Sequence, residues 1–504
     1  MNFDKMSALS GTNRLLTRSP AHLPFWVILG FLVIGLALVP LPLLAQALGW
    51  GLAVALALID PAFGLFLAVL SVPAQELVHL PGGLSYTQAA MLVAVGAWGL
   101  RALAHPERRI VLGRLLPLWA ALLWALLLAA SFTPYSHTEA FKESLRWGEA
   151  FLIWLLAVNT IKRPWHIAGL VACLLLAPAA NAAIGLFQFA SGDGPPSFRI
   201  AADSQFVRAY GTIGAPNSFA GYMNMAWPLA LALAVGLTWS AWRRSTTDQL
   251  ETRRQGDKET RGRRDSSWFL VLGSWFLVLL LVAALVSSFS RGGWVGAAFG
   301  LLVMALTLGR PTARWAIGII GAGALLLAIG GAGLLPQPIA ARLASLTRSV
   351  SIFDASTVQV TDENFAVVER MAQLQAGWRM FAAHPLGGVG PGNYNAAYPD
   401  FAVIPWYASR GHAHNYYLHM AAEAGALGAL AYLALLAGVV YQGLTALRNT
   451  NAIFRRSIAV GCCGIIAATA GHNLFENLHV LSMGVQLAAV WGLIVVLANW
   501  QPRN

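Results

Sequence analysis

The segment Gly411-His-Ala-His-Asn-Tyr-Tyr-Leu-His-Met-Ala-Ala-Glu-Ala-Gly425 gathers the side chains best suited to proton chemistry. It places His412, His414, His419 and Glu423 where a long polar stretch gives way to an apolar one. Ionisable groups are costly at such a boundary, so each needs a reason to be there. His414 comes just before a predicted helix start near Asn415. A helix N-terminus disfavours a further positive charge, so this imidazole should stay neutral and able to take a proton from a hydroxyl. A histidine in that position can equally cap the helix or lie among lipid headgroups. Asn415, His419 and Glu423 follow one another at i, i+4 and i+8, a stripe predicted to face a helix bundle. Glu423 would then sit roughly 13 Å along the helix from His414, as a partner and not a catalyst. His412 and His414 also form a His-x-His pair, but no cysteine or carboxylate pair lies beside them in the chain. The chain has no Asp-Asp or Asp-x-Asp either. No metal and no other cofactor is expected, and the missing Asp pairs argue against a sugar transferase that holds a divalent ion between carboxylates.

Two arginines are candidates for the complementary role. Arg208 opens Arg208-Ala-Tyr210-Gly-Thr-Ile-Gly-Ala-Pro-Asn217, and Arg291 lies in Ser288-Phe-Ser-Arg-Gly-Gly-Trp294, a very short turn between two apolar runs. A guanidinium stays charged at any working pH and its planar fork suits phosphate. The competing reading is snorkelling to headgroups or capping of carbonyls. His472, Asn473 and Glu476, near the end of the next-to-last apolar run, can reach the same cavity or serve as helix caps. Residues 366–383 carry Arg370 and have the apolar spacing of an amphipathic helix on the membrane surface. After them comes Gly387-Gly-Val-Gly-Pro-Gly392. No strand precedes it, so it predicts a tight turn and not a dinucleotide site.

These groups need a scaffold, and composition says which kind. Of 504 residues, 57% are hydrophobic and 11% charged, against about a quarter charged in a soluble protein. Apolar runs of near-spanning length recur throughout, which predicts an all-α polytopic transmembrane bundle of about 12–14 spans and not an outer-membrane barrel. The net charge of +12 falls mainly in segments placed inside by the positive-inside rule, so it does not point to nucleic acid. Cys173, Cys462 and Cys463 all lie in apolar runs, so neither a disulfide framework nor a cysteine metal site is expected. The first apolar run lacks a small-residue cleavage site and reads as an uncleaved span.

The expected organisation is a cytoplasmic N-terminus (1–24), an N-terminal transmembrane bundle (25–335) with a mobile basic cytoplasmic insert at 243–265, a large extracytoplasmic loop (336–414) and C-terminal transmembrane helices (415–499). A break near Pro61 is expected within the apolar stretch 25–73. Ser267-Trp-Phe-Leu-Val-Leu returns as Ser274-Trp-Phe-Leu-Val-Leu, a local duplication to which no chemistry is assigned.

His414-Asn415-x-x-Leu418, followed by six residues and Gly425, resembles the His-[Asn/Ser/Asp]-x-x-Leu-x6-Gly signature of bacterial O-antigen ligases and the related O-antigen polymerase superfamily. His384-Pro-Leu-Gly-Gly-Val-Gly-Pro-Gly-Asn-Tyr394 is similar to the segment that precedes the signature there, and Arg208 and Arg291 match the family's two arginines. The resemblance covers roughly residues 200–480. It implies a GT-C-like, metal-independent, inverting glycosyltransferase in the cytoplasmic (inner) membrane, with its site on the outer side. The implied donor is a glycan on undecaprenyl pyrophosphate and the acceptor a glycolipid or other glycan, with membrane lipids around them. His414 would be catalytic, and Arg208 and Arg291 would bind the pyrophosphate. Asn217, Asn415, Tyr210, Arg370, His412, Glu423 and His472 would support them. A polysaccharide polymerase and a protein O-oligosaccharyltransferase are the neighbouring alternatives. A transporter of a small anion is the alternative of another class, but it should show repeated halves with helices broken near the midplane.

Overall fold

The computed structural model describes residues 43–500, apart from 76, 78–79, 81–82, 108, 201–203, 253–259, 331–352 and 362–363. The protein is an all-α polytopic membrane protein: among the described residues there is no strand, only the isolated bridges Arg199–Val207 and Val403–Trp406. Among the described residues, seven helices are long and apolar enough to cross a membrane, and four shorter apolar helices accompany them. The rest of the first apolar stretch, the N-terminal segment and the start of the long polar loop lie outside the described residues.

We number the helices α1 Leu43–Ile59, α2 Pro61–Ser71, α3 Tyr86–Ala104, α4 Leu116–Ser131, α5 His137–Thr160, α6 Pro164–Ser191, α7 Pro216–Asn224, α8 Trp227–Thr252, α9 Thr260–Ser287, α10 Arg291–Leu308, α11 Arg310–Gly330, α12 Phe365–Ala383, α13 Tyr394–Phe401, α14 Tyr416–Asn449, α15 Ile453–His472 and α16 Met483–Ala498. Their ends follow local chemistry. The break expected near Pro61 is present: Asp60 is extended, its carboxylate accepts from Ala62 N at 3.1 Å, and Pro61 opens α2. Asn415 caps α14 by accepting from Leu418 N at 3.0 Å.

Two boundaries differ from expectation for one reason: loss of hydrophobicity marks where a helix leaves apolar surroundings, not where it ends. The apolar run that predicts a span here covers only 148–161, but α5 begins at His137, where Ser136 caps a polar first turn containing Glu139. The basic insert was expected to be a loop from 243, yet α8 continues to Thr252 and α9 begins at Thr260. Residues 253–259 lie outside the described part.

Helix α15 is the central strut, packing against α8, α10 and α14. Helix α16 packs against α5 and α14, and α14 against α4 and α12. One hydrophobic core joins these helices apart from α12, built on buried Trp119, Trp154, Phe219, Tyr222 and Tyr432, while α12 packs through two smaller clusters. Close approach depends on small residues: a Cβ on Gly296 would meet Ala468 O at 2.5 Å, and one on Gly300 would meet Gly464 O at 3.0 Å. Cys173, Cys462 and Cys463 are buried and free.

Candidate active site

The histidine segment is held from beneath by α12, which spans Phe365–Ala383, close to the predicted 366–383. Its buried face packs into the protein through Val368, Ala372, Ala376 and Met380. Gln373 is fully buried and ties the incoming chain: its amide donates to Ala408 O at 3.0 Å and Tyr398 Oη at 2.9 Å, and its oxygen accepts from Arg410 N at 3.1 Å. Glu369 pairs with Arg410 at 2.6 and 2.7 Å. A Cβ on Gly377 would lie 2.9 Å from that of Ala413. The residues just before His414 are therefore fixed by side chains of α12.

From there a chain of polar contacts crosses the molecule. Glu476, in the turn between α15 and α16, accepts from Asn217 Nδ2 at 2.7 Å on one oxygen. Its other oxygen lies 2.8 Å from His412 Nε2 and 3.7 Å from His414 Nδ1. Asn217 in turn accepts from the Arg208 guanidinium at 2.9 Å, and Arg208 Nε donates to Ser288 O at 2.9 Å. Ser288 belongs to the three-residue turn between α9 and α10, and Arg291, 7% exposed, is the first residue of α10. Five separate stretches thus meet, at 208, 217, 288, 412–414 and 476.

The hydrogen bonds assign the tautomer of His412. Its Nδ1 accepts from His414 N at 3.1 Å, so the proton of a neutral ring sits on Nε2 and points at Glu476. Burial alone would raise the Glu476 carboxyl, but the hydrogen bond from His412 and the electrostatic pull of the two imidazoles and Arg370 hold it well below the usual carboxylate range. His414 moves down to about 3, because burial and the neighbouring His412 outweigh the pull of Glu476. A neutral His414 was expected from the helix N-terminus; burial and a second imidazole are what produce it. His414 also holds a left-handed backbone, φ 51°, a region non-glycine residues rarely adopt. Such strain concentrates at functional sites. Its Nδ1 is buried without a hydrogen bond.

The supporting residues separate into groups. Arg370, half-buried on α12, acts electrostatically on both His414 and Glu476. His472 is fully buried at the end of α15, 3.5 Å from Asn224 Nδ2, and a Cβ on Gly292 would come within 2.9 Å of its ring. Asn415 serves as the N-cap of α14. Tyr210 makes its contacts with the 193–198 loop, through Asp193 O at 3.4 Å and the Phe198 ring.

Glu423 is a clamp. It accepts from Gly392 N at 2.7 Å and Tyr394 N at 3.0 Å, so it satisfies the first amide of α13 from outside. The glycine run it holds is the predicted turn, with Gly388, Gly390 and Gly392 all at positive φ. Val389 N and Gly390 N donate to the carbonyls of Ala422 and Glu423, and Ala426 N donates to Pro385 O. Helix α14 is broken at Gly425 (φ 63°, ψ −168°) to receive this turn, and a Cβ there would run into Leu386 O. Asn393 docks the far side of the turn on Thr133 and Ser136.

Glu476 is the residue that the spacing in the chain singled out least. It stands 62 residues beyond His414, and its i, i+4 relation to His472 reads as a helix end. Folding also changes the ligand count for a metal. His412, His414 and Glu476 each offer a donor atom, all within 4.8 Å of one another, so the His-x-His pair gains the third ligand it lacks along the chain.

Residues 276–433 match the family model described as O-antigen ligase. No curated protein matches the chain. The matched stretch contains Arg291, His412, His414, Glu423 and Gly425. Arg208, Asn217 and Glu476 lie outside it and join the site only through the fold.

Proposed function

We propose that this chain, whose residues 276–433 match the O-antigen ligase family model, moves a glycan from undecaprenyl pyrophosphate to an acceptor hydroxyl on the outer face of the cytoplasmic membrane. The observation that carries the reading is the contact chain Arg208–Asn217–Glu476–His412 ending beside the strained His414. His414 takes the acceptor hydroxyl proton as the acceptor oxygen attacks the anomeric carbon. The bond from that carbon to the phosphate oxygen breaks, and its electron pair leaves with the pyrophosphate. One displacement inverts the anomeric centre. Arg208 and Arg291 bind the pyrophosphate and stabilise its growing charge.

A proton acceptor that titrates near 3 is weak when the site is empty. Pyrophosphate charge entering beside it favours the protonated ring and raises its basicity when the reaction needs it. Glu476 aids in the same sense, because it already pulls His414 upward against burial.

A second reading rests on the three donors within 4.8 Å: His412, His414 and Glu476 would hold a divalent cation that activates the hydroxyl. Both readings are tested by one transfer assay in proteoliposomes, using a lipid-linked glycan as donor and His414→Ala, Arg208→Ala and Arg291→Ala at matched protein levels. Loss in all three variants, with full wild-type activity after chelation, supports the metal-free reading. Loss on chelation with recovery by one added divalent metal supports the second. Normal transfer by the variants removes the site assignment. The acceptor that becomes labelled separates a ligase from a polymerase or a protein glycosylase.

A further inference from the structure

At the far end of the bundle from the histidines lies a cavity of about 1340 Å³. Helix α15 joins the two ends: from Arg455, which lines the cavity, to His472 is roughly 25 Å at 1.5 Å per residue. Among the described residues, six basic side chains line this space: Arg101, Arg109, Arg114, Lys162, Arg163 and Arg455. They come from four places in the chain, namely the end of α3, the α3–α4 connection, the α5–α6 junction and the start of α15. Basic residues in loops alone would follow from the positive-inside rule. Convergence of four elements on one concavity does not follow from it.

Among the described residues, Asp60 is the one carboxylate in the lining, and it is engaged by His166 Nε2 at 3.1 Å and electrostatically by Arg101. His166 is held in that role because its Nδ1 accepts from Lys162 N at 3.1 Å and Arg163 N at 3.3 Å. Among the described residues, Arg109, Arg114 and Arg163 form no salt bridge, and Arg455 Nε is buried without a hydrogen bond. The loop bearing Arg109 and Arg114 is pinned: buried Asn159 accepts from Val111 N at 2.8 Å and donates to Val111 O at 3.0 Å. Trp98, Val158, Val495 and Trp500 supply an apolar wall beside the cations.

We propose that this cavity binds phosphate-bearing anions, at a site separate from His412 and His414. Several guanidinium groups around one concave space are suited to phosphate oxygens. The phosphate has two possible sources, a membrane phospholipid headgroup or a free phosphate species, and the apolar wall accommodates the first acyl carbons if the source is lipid.

The test uses the full chain in neutral detergent. One arm titrates phosphatidylglycerol against phosphatidylcholine and counts bound lipid by native mass spectrometry. The other titrates inorganic pyrophosphate by calorimetry. The variant is Arg109→Gln/Arg114→Gln/Arg163→Gln, with the corresponding triple Lys exchange as the charge-keeping control and Arg379→Gln, on α12 at the other end, as the site control. The triple Gln exchange should weaken binding at least about tenfold in one arm, while the Lys exchange and Arg379→Gln stay near wild type. Weakening confined to phosphatidylglycerol assigns the lipid source, and weakening confined to pyrophosphate the free one. If the Gln variant melts well below wild type without ligand, single Arg109→Gln and Arg163→Gln exchanges are read instead. Equal affinity of wild type and charge-removed variants in both arms, or no binding by wild type in either, overturns the proposal.

Discussion

Glu423 and Glu476 stand at comparable positions, each close to a helix end beside a buried histidine, and are nearly equally buried at 6% and 5% exposed. What each carboxylate faces differs. Glu423 spends both oxygens on backbone amides, Gly392 and Tyr394, and so fixes the glycine turn against α14. Glu476 faces side chains that can exchange protons, His412 and His414, and a side-chain amide that leads to Arg208. Burial alone therefore does not mark a catalytic carboxylate. The kind of partner does: fixed amides make an anchor, and titratable rings beside a route to a cation make a reactive group.

The largest effect that tests this contrast is at His414. His414→Ala should lower transfer by about 10²–10⁴-fold, the usual worth of a general base, with protein abundance unchanged. Transfer within tenfold of wild type would remove the proton-acceptor role. Next comes the anchor region. Gly425→Ala places a Cβ against Leu386 O at a left-handed position, so a loss of at least about 2 kcal/mol is expected. Thermal melting in detergent would register it, while activity per folded molecule should change little. An unchanged melting temperature would mean that the glycine turn does not lock α14.

The next expected effect is on pH. His414 sits near 3 in the fold, against 6.5 for an ordinary histidine. Between those values the unfolded chain binds a proton that the folded one does not. Stability is thus complete above about pH 6.5 and declines as pH falls below it. Glu476, held low, adds to the same decline at still lower pH. Melting temperature should drop from pH 6.5 to 4.5, and His414→Asn should flatten that slope. A slope unaffected by the exchange would place the acid sensitivity elsewhere.

Much of the anchor could be read along the chain. Asn415 is a helix cap and Gly425 a left-handed break, and both act within a few residues of where they stand. The helix over 366–383 and the break near Pro61 were legible for the same reason: periodicity and proline act locally. The reactive half was less legible. Arg208, Asn217, Glu476 and the histidines meet only because α7, α9, α10, α14 and α15 end at a common level, and no spacing encodes that. Gln373, which ties the histidine segment to α12, looks in the sequence like any polar residue on an amphipathic helix. Tyr210, chosen for its nearness to Arg208 in the chain, turns instead to the 193–198 loop.

The most direct measurement compares Glu476→Gln with Glu423→Gln, each assayed for glycan transfer per folded molecule and for thermal stability. Glu476→Gln should lose most of the transfer, at least about tenfold, while its melting temperature moves less than that of the other variant. Glu423→Gln should keep transfer within about threefold but lose stability, by roughly 1–3 kcal/mol, because one of two buried amides is left without an acceptor. The reverse pattern, with transfer lost at Glu423 and retained at Glu476, would contradict the division between anchor and reactive group.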